Sequence, residues 1–351
     1  VTTVSTDASA PSTVGRRLAG VALAVTGGLA LAAQARINGQ LSSAIGVDLR
    51  NSALAGILTA VISFGSGLVL LVAGVVAAPF GRRGLRRVRV ALREGGLRWW
   101  QCLGGASGAF LVSSQGLTVT DLGVAVFTVA LVAGQVLSSL AVDRAGLGPQ
   151  GPQPPTARRT VGALLAVPAV AIAVADQFGH AGLLLLAVLP LVAGALVAWQ
   201  QAVNGRVSQA AGSSLVATLV NFTVGAVVLV LALAVPVAVH GLPAHWPGSW
   251  WLYTGGAVGI VVIGAAVAGV RLVGVLVVGL SSVAGQLIGA LVLEAVVPAG
   301  PTGSLAFPVA GTVLALVAVV VAGLSGRRRS ERMTAEPGAR EEHDDSHDPG
   351  R

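Results

Sequence analysis

An amide side chain in hydrocarbon is costly unless it finds a hydrogen-bond partner or faces water, and this chain carries such amides in matched pairs. Gln135 and Gln286 each follow a glycine inside an apolar run. Together they could hold a small polar substrate, donating and accepting hydrogen bonds without imposing a charge. Each could equally bond a neighbouring helix, as polar residues in membrane bundles do. Gln34 with Asn38, and Gln200 with Asn204, are spaced four residues apart, which stacks both amides on one helix face. They are candidates for gates or cavity residues at opposite mouths of a pathway. Helix-end capping by Asn-Gly is the alternative. Arg36 lies within a turn of Gln34 and Asn38, where it could contact an anionic group or snorkel to the surface. Asp143 and Glu294 occupy equivalent span ends, where solvated interface charges are expected, and Asp121 and Arg271 sit at tight turns. Gln115 and Asn221 have no polar counterpart in the other half.

The inventory also argues against other chemistries. No catalytic residue is expected, because acids are dispersed and the histidines fall in loops and tail rather than converging at one depth. No P-loop is present, so ATP hydrolysis by this chain is not expected. The single cysteine, Cys102, allows no internal disulfide, and no metal site or cofactor is expected.

These pairs belong to a longer duplication. WWQCLGGASG from Trp99 returns as WWLYTGGAVG from Trp250, and the same offset carries Gly123 onto Gly274, Gly134-Gln135 onto Gly285-Gln286, and Asp143 onto Glu294. Earlier in each half, Gln34 to Gly39 (QARING) is echoed by Gln200 to Gly205 (QQAVNG). Phe64-Gly65-Ser66-Gly67 has a looser partner in Phe222-Thr223-Val224-Gly225. Tandem copies of an apolar unit are the mark of a transporter built from structural repeats.

Composition makes lipid the solvent. Of 351 residues, 54% are hydrophobic and 10% charged, with mean hydropathy +0.83, whereas a soluble domain carries about a quarter charged residues. The 48 glycines follow no three-residue period, which excludes a collagen-like chain, and suit close helix packing. Gly104-x-x-x-Gly108, Gly255-x-x-x-Gly259 and Gly285-x-x-x-Gly289 are close-packing signals. All 22 basic residues are Arg, pointing to a GC-rich bacterial genome. The net charge of +8 reflects arginines beside apolar spans, hence topology control rather than nucleic-acid binding.

Ten apolar runs are long enough to cross about 30 Å of hydrocarbon: 18–37, 51–78, 99–118, 121–141, 160–175, 181–201, 213–239, 250–270, 272–293 and 304–325. The expected pair at 99–141 turns around Thr120-Asp121. All arginines except Arg36 and Arg50 fall on one side if both termini are cytoplasmic. Five spans per half then make the second copy enter from the opposite side, an inverted repeat suited to alternating access. The domain reading is a disordered leader at 1–17, a first repeat over 18–141 with its fifth span at 160–175, and a cytoplasmic Pro/Gly-rich loop at 142–159. A second repeat follows over 181–325, then a disordered cytoplasmic tail at 326–351. Arg16-Arg17 and Ala33-Gln34-Ala35 also resemble a signal peptide, but the mid-chain echo of Gln34 to Gly39 argues for a retained first span. Trp99-Trp100 and Trp250-Trp251 are placed as interfacial anchors.

The doubled Gln-x-x-x-Asn-Gly, the Ser-Phe/Asn-Phe-x-x-Gly that follows, and the Gly-Gln near the end of each half resemble the YdcZ-type branch of the drug/metabolite transporter (DMT) superfamily over residues 18–325. The resemblance implies an all-α integral membrane fold of ten transmembrane helices, two inverted five-helix repeats around a central cavity. It also implies that the fourth and ninth helices line that cavity, which places Gln135 and Gln286 there. One departure is the first outer loop: Gly46 to Phe64 spans 18 positions, against ten from Gly212 to Phe222. The function expected is secondary, non-ATP transport of a small polar or amphipathic metabolite or drug across a bacterial inner membrane. The expected partners are the bilayer, a small-molecule substrate and a candidate coupling proton. A lipid flippase or a non-transporting membrane protein of the same fold is the alternative, and an integral-membrane enzyme a weaker one.

Overall fold

The computed structural model describes residues 13–77, 79–149, 151–154, 156–175, 181–273, 275–297 and 305–323. The first twelve residues of the expected leader, the tail 326–351 and the connections at 176–180 and 298–304 lie outside the described residues. Among the described residues the chain is helical and without strands. Its helices are α1 (Thr13–Leu49), α2 (Ser52–Ala77), α3 (Pro79–Arg93), α4 (Gly104–Leu122), α5 (Val124–Arg144) and α6 (Ala157–Ala173). They continue with α7 (Ala181–Ala211), α8 (Ser214–His240), α9 (Gly255–Val273), α10 (Val275–Val296) and α11 (Ala306–Gly323). A 3₁₀ turn precedes α4 at Trp99–Leu103 and another precedes α9 at Trp250–Thr254.

Six of these helices are long and apolar enough to cross a membrane, lying in α1, α2, α5, α7, α8 and α10; the apolar stretches 250–266 and 306–321 are shorter. Helix α4 misses that standard because it is polar inside: Ser107, Ser114, Gln115 and Thr118 are all buried. Hydrocarbon forces such groups inward.

Three local features depart from the sequence reading. Helix α1 does not stop near Asn38-Gly39 but continues to Leu49, and α7 likewise runs through Asn204-Gly205 to Ala211. Asn-Gly here is therefore helix interior, not a helix end. The turn between α4 and α5 falls at Gly123, with φ of 82°, rather than at Thr120-Asp121. Its N–H bonds Val119 O, closing α4. The arginine-rich stretch after α2 forms a helix of its own, α3.

The halves interlock. Helix α1 packs on α9 and α10, and α7 packs on α4 and α5, their counterparts by sequence. Helices α2 and α8 meet each other, as do α6 and α11. Between lipid-soluble helices there is little hydrophobic gain, so close backbone approach supplies the adhesion, and glycine provides it. A Cβ on Gly28 would fall 2.0 Å from Ser282 O, and one on Gly194 would fall 1.9 Å from Leu131 O. Their partners repeat the arrangement, Gly285 against Val25 O at 2.4 Å and Gly134 against Leu191 O at 1.9 Å.

Candidate functional site

The two crossings carry the backbones of the paired glutamines. A Cβ on Gly28 would lie 2.6 Å from the Gln286 nitrogen, and one on Gly194 would lie 2.8 Å from that of Gln135. Each glutamine thus sits where its helix is pressed against a glycine of the other half. Gln286 is buried and Gln135 half-buried. Among the described residues no hydrogen bond joins the two side chains.

The second set of amides does meet partners. Gln34 Nε2 donates to Gly255 O at 2.9 Å, and Asn38 Nδ2 donates to Gln115 Oε1 at 2.7 Å. Gln200 Nε2 and Asn204 Nδ2 both donate to Asn221 Oδ1, each at 3.0 Å. Glycines across the interface make room for them. A Cβ on Gly259 would lie 2.8 Å from Gln34 Nε2, and one on Gly255 2.5 Å from Asn38 Oδ1. On the other side, Gly108 would meet Gln200 Nε2 at 3.1 Å and Gly104 would meet Asn204 Oδ1 at 2.6 Å. The two Gly-x-x-x-Gly stretches of α4 and α9 therefore seat amide side chains from α7 and α1. Between these two sites Phe64 and Phe222 stack with ring centroids 4.9 Å apart.

Gln115 and Asn221, which lack counterparts in the repeat, are the acceptors at the heart of this network. Gln115 is fully buried and Asn221 nearly so. Their usable signal was polarity within an apolar helix, not duplication. In the first half the position matching Asn221 is Ser63, and Asn38 turns to Gln115 instead. Asn38 Oδ1 and Gln115 Nε2 stay buried without a partner among the described residues. A half-satisfied buried network is a high-energy element, because low local dielectric makes each unmet group expensive.

The charged residues separate by role. Arg36 lines a cleft of about 360 Å³ with Gln40, Ser43, Val119, Thr120 and Trp251. With the Gln40 amide oxygen turned toward it, that oxygen accepts from Arg36 Nη2 at 3.2 Å and Nε at 3.3 Å. Glu294 corrects the sequence reading: it is not a solvated interface charge but is 7% exposed. Its Oε2 accepts from Val124 N at 2.6 Å, so α10 caps α5. A carboxylate there also meets the positive end of the α5 dipole. Asp143, its counterpart, instead pairs with Arg159 near the surface, and Asp121 is exposed. The extra residues of the first connection also find a use, since Asp48 accepts from the backbone of Ala244 and His245 and ties α1 to the loop before Trp250.

Against known proteins, residues 19–172 and 185–324 match a family model described as "Putative inner membrane exporter, YdcZ". The chain belongs to the YdcZ-type branch of the DMT superfamily. No curated protein and no solved structure matches it. Membership makes it a multi-pass inner-membrane protein of a transporter family.

Among the described residues this YdcZ-type chain offers neutral hydrogen-bonding groups inside the bundle, Arg36 in a cleft, and the buried carboxylate of Glu294 on a helix terminus. No group of three or more His, Cys, Asp or Glu able to hold a metal occurs among the described residues.

Proposed function

We propose that this YdcZ-type chain is a secondary transporter that moves a small polar or amphipathic metabolite by alternating access, in the outward direction its family description carries. In this reading ten helices cross the membrane as two inverted five-helix repeats, with α3 outside that set and both termini cytoplasmic. Gln135 and Gln286 contact the substrate near the midplane, Arg36 receives an anionic end of it, and the amides at Gln34, Asn38, Gln200 and Asn204 gate the pathway.

The observation that carries this reading is the reciprocity of the crossings. Gly28 presses on the Gln286 backbone as Gly194 presses on that of Gln135. Two equivalent contacts in one chain support a reading in which two arrangements have similar energy, as alternating access needs. Rocking about these glycines would move both glutamines together, and the half-satisfied Asn38–Gln115 pair is a place where the bonding can be remade. The motion can run as facilitated diffusion, exchange or proton antiport.

The test is transport in proteoliposomes, with a substrate first found by thermal-shift screening of metabolites, since a ligand of the folded state raises its melting temperature. Gln135→Ala and Gln286→Ala are each expected to cut uptake or efflux at least tenfold at unchanged yield. Normal transport by both variants would remove the amides from the site. Labelling that put residues near Trp99 and Trp250 on one side of the bilayer would remove the inversion.

A further inference from the structure

Helix α3 has no counterpart in the second half, where the chain between α8 and the Trp250 turn is a loop. Its fifteen residues carry Arg82, Arg83, Arg86, Arg87, Arg89 and Arg93. At 3.6 residues per turn these fall on one broad face, while Gly81, Gly84 and Val88 fall on the other and are buried. The buried face is pressed hard into the bundle. A Cβ on Gly84 would lie 2.8 Å from Val216 Cγ2, and Val88 joins a cluster with Leu97, Val207, Ala211 and Val216. Beside that stripe, Leu85 and Leu92 remain exposed.

The helix lies between the end of α2 at Ala77 and Trp99, which is 72% exposed. An exposed tryptophan at the start of a span marks the headgroup level. An amphipathic helix at that level places its cationic face among headgroups and its apolar edge against acyl chains. Between α3 and the end of α7 there is, in addition, a cleft of about 570 Å³ lined by Arg86, Arg87, Val90, Ala91, Glu94 and Ala210. The Arg87 guanidinium reaches over the last turn of α7, since a Cβ on Gly212, just past that helix, would fall 2.5 Å from Arg87 Nη1.

We propose that this cleft is a binding site for an anionic phospholipid, its headgroup phosphate held between Arg86 and Arg87 and its acyl chains running along Val90, Ala91 and Ala210. Paired guanidiniums match phosphate oxygens in geometry as well as charge. Glu94 on the same wall disfavours a second anion and so favours a singly charged headgroup. The apolar lining of Val90, Ala91 and Ala210 beside the arginines selects lipid over free phosphate. A lipid seated there ties α3 to the end of α7, the helix that also carries Gln200 and Asn204. This inference does not depend on the transport reading, because binding is read without any substrate.

The experiment uses the full chain purified in detergent, titrated with phosphatidylglycerol, phosphatidylcholine or inorganic phosphate, with thermal stability and retained lipid by native mass spectrometry as readouts. Phosphatidylglycerol is expected to raise the melting temperature and remain bound, phosphatidylcholine and phosphate to do neither. Arg86→Gln/Arg87→Gln should weaken retention about tenfold, with part recovered in Arg86→Lys/Arg87→Lys. Arg82→Gln/Arg83→Gln removes the same charge from outside the cleft and should leave retention unchanged. Equal losses in both glutamine pairs, equal binding of phosphatidylcholine, or equal protection by phosphate would each overturn the proposal.

Discussion

The Asn221 side-chain oxygen accepts hydrogen bonds from both Gln200 and Asn204, while Gln115 accepts one, from Asn38. Removing an acceptor orphans its donors, at about 1–3 kcal/mol each in a sealed site. In membrane bundles the measured average is nearer 0.6 kcal/mol, because the dissociated helices find other partners. The lower figure is the relevant one for helices that stay in lipid or detergent. Asn221→Ala is therefore expected to lose about 1–2 kcal/mol and Gln115→Ala about half that, read as melting temperatures in one detergent. At Glu294 the substitutions should separate charge from hydrogen bonding. Glu294→Gln keeps an acceptor for Val124 N–H and should cost under about 1 kcal/mol, the worth of the lost charge at a helix N-terminus. Glu294→Ala loses both and should cost about 1–2 kcal/mol. Equal melting temperatures for the two variants would show that the α5 cap carries no weight.

At the scale of elements, the glycine pairs of α4 and α9 act as seats. Gly255→Ala brings a methyl 2.5 Å from Asn38 Oδ1, and Gly104→Ala brings one 2.6 Å from Asn204 Oδ1. Each amide must then leave its partner or the helices must part. Both variants should lower melting temperature, and Gly255→Ala combined with Asn38→Ala should be milder than Gly255→Ala alone, since the clash is gone. Additive losses in that double variant would mean the glycine serves packing alone. How far such elements were legible in the sequence varies with the signal. The long apolar runs of α2 and α8 lie within a residue of their expected bounds, because twenty apolar residues have few other fates in lipid. The passage of α1 through Asn38-Gly39 was not legible, because Asn-Gly also stops helices and only tertiary contact decides. Glycine at position 39 is tolerated inside the helix where Val119 approaches, a Cβ there meeting Val119 Cγ1 at 2.8 Å. Likewise the arginines of α3 read as a topology signal, while the buried stripe of Gly81, Gly84 and Val88 that makes them one face of a helix became visible only against α7 and α8. Repetition marked Gln34, Asn38, Gln200 and Asn204, but hid Gln115 and Asn221, which break the symmetry.

Across the whole molecule, the equivalence of the two crossings makes a demand that a one-state protein would not meet. A methyl at Gly28 would collide with Ser282 O on α10, and a methyl at Gly194 with Leu131 O on α5. Neither carbonyl can rotate away, because each is part of a helix backbone, so each substitution must widen its own crossing. If the halves are inverted copies, the α1/α10 crossing tightens in one access state and the α5/α7 crossing in the other. Gly28→Ala and Gly194→Ala should then push the equilibrium in opposite directions. Single cysteines placed near Trp99 and near Trp250, in a Cys102→Ser background, report the two mouths by their reactivity toward a polar maleimide. One variant is expected to raise labelling near Trp99 and lower it near Trp250, and the other to do the reverse. A shift of several-fold needs only about 1 kcal/mol between the states, well within what one misplaced methyl in a tight interface supplies. Shifts in the same direction would mean that the crossings are matched in structure but not in mechanism, and the alternating-access reading would lose the symmetry on which it stands.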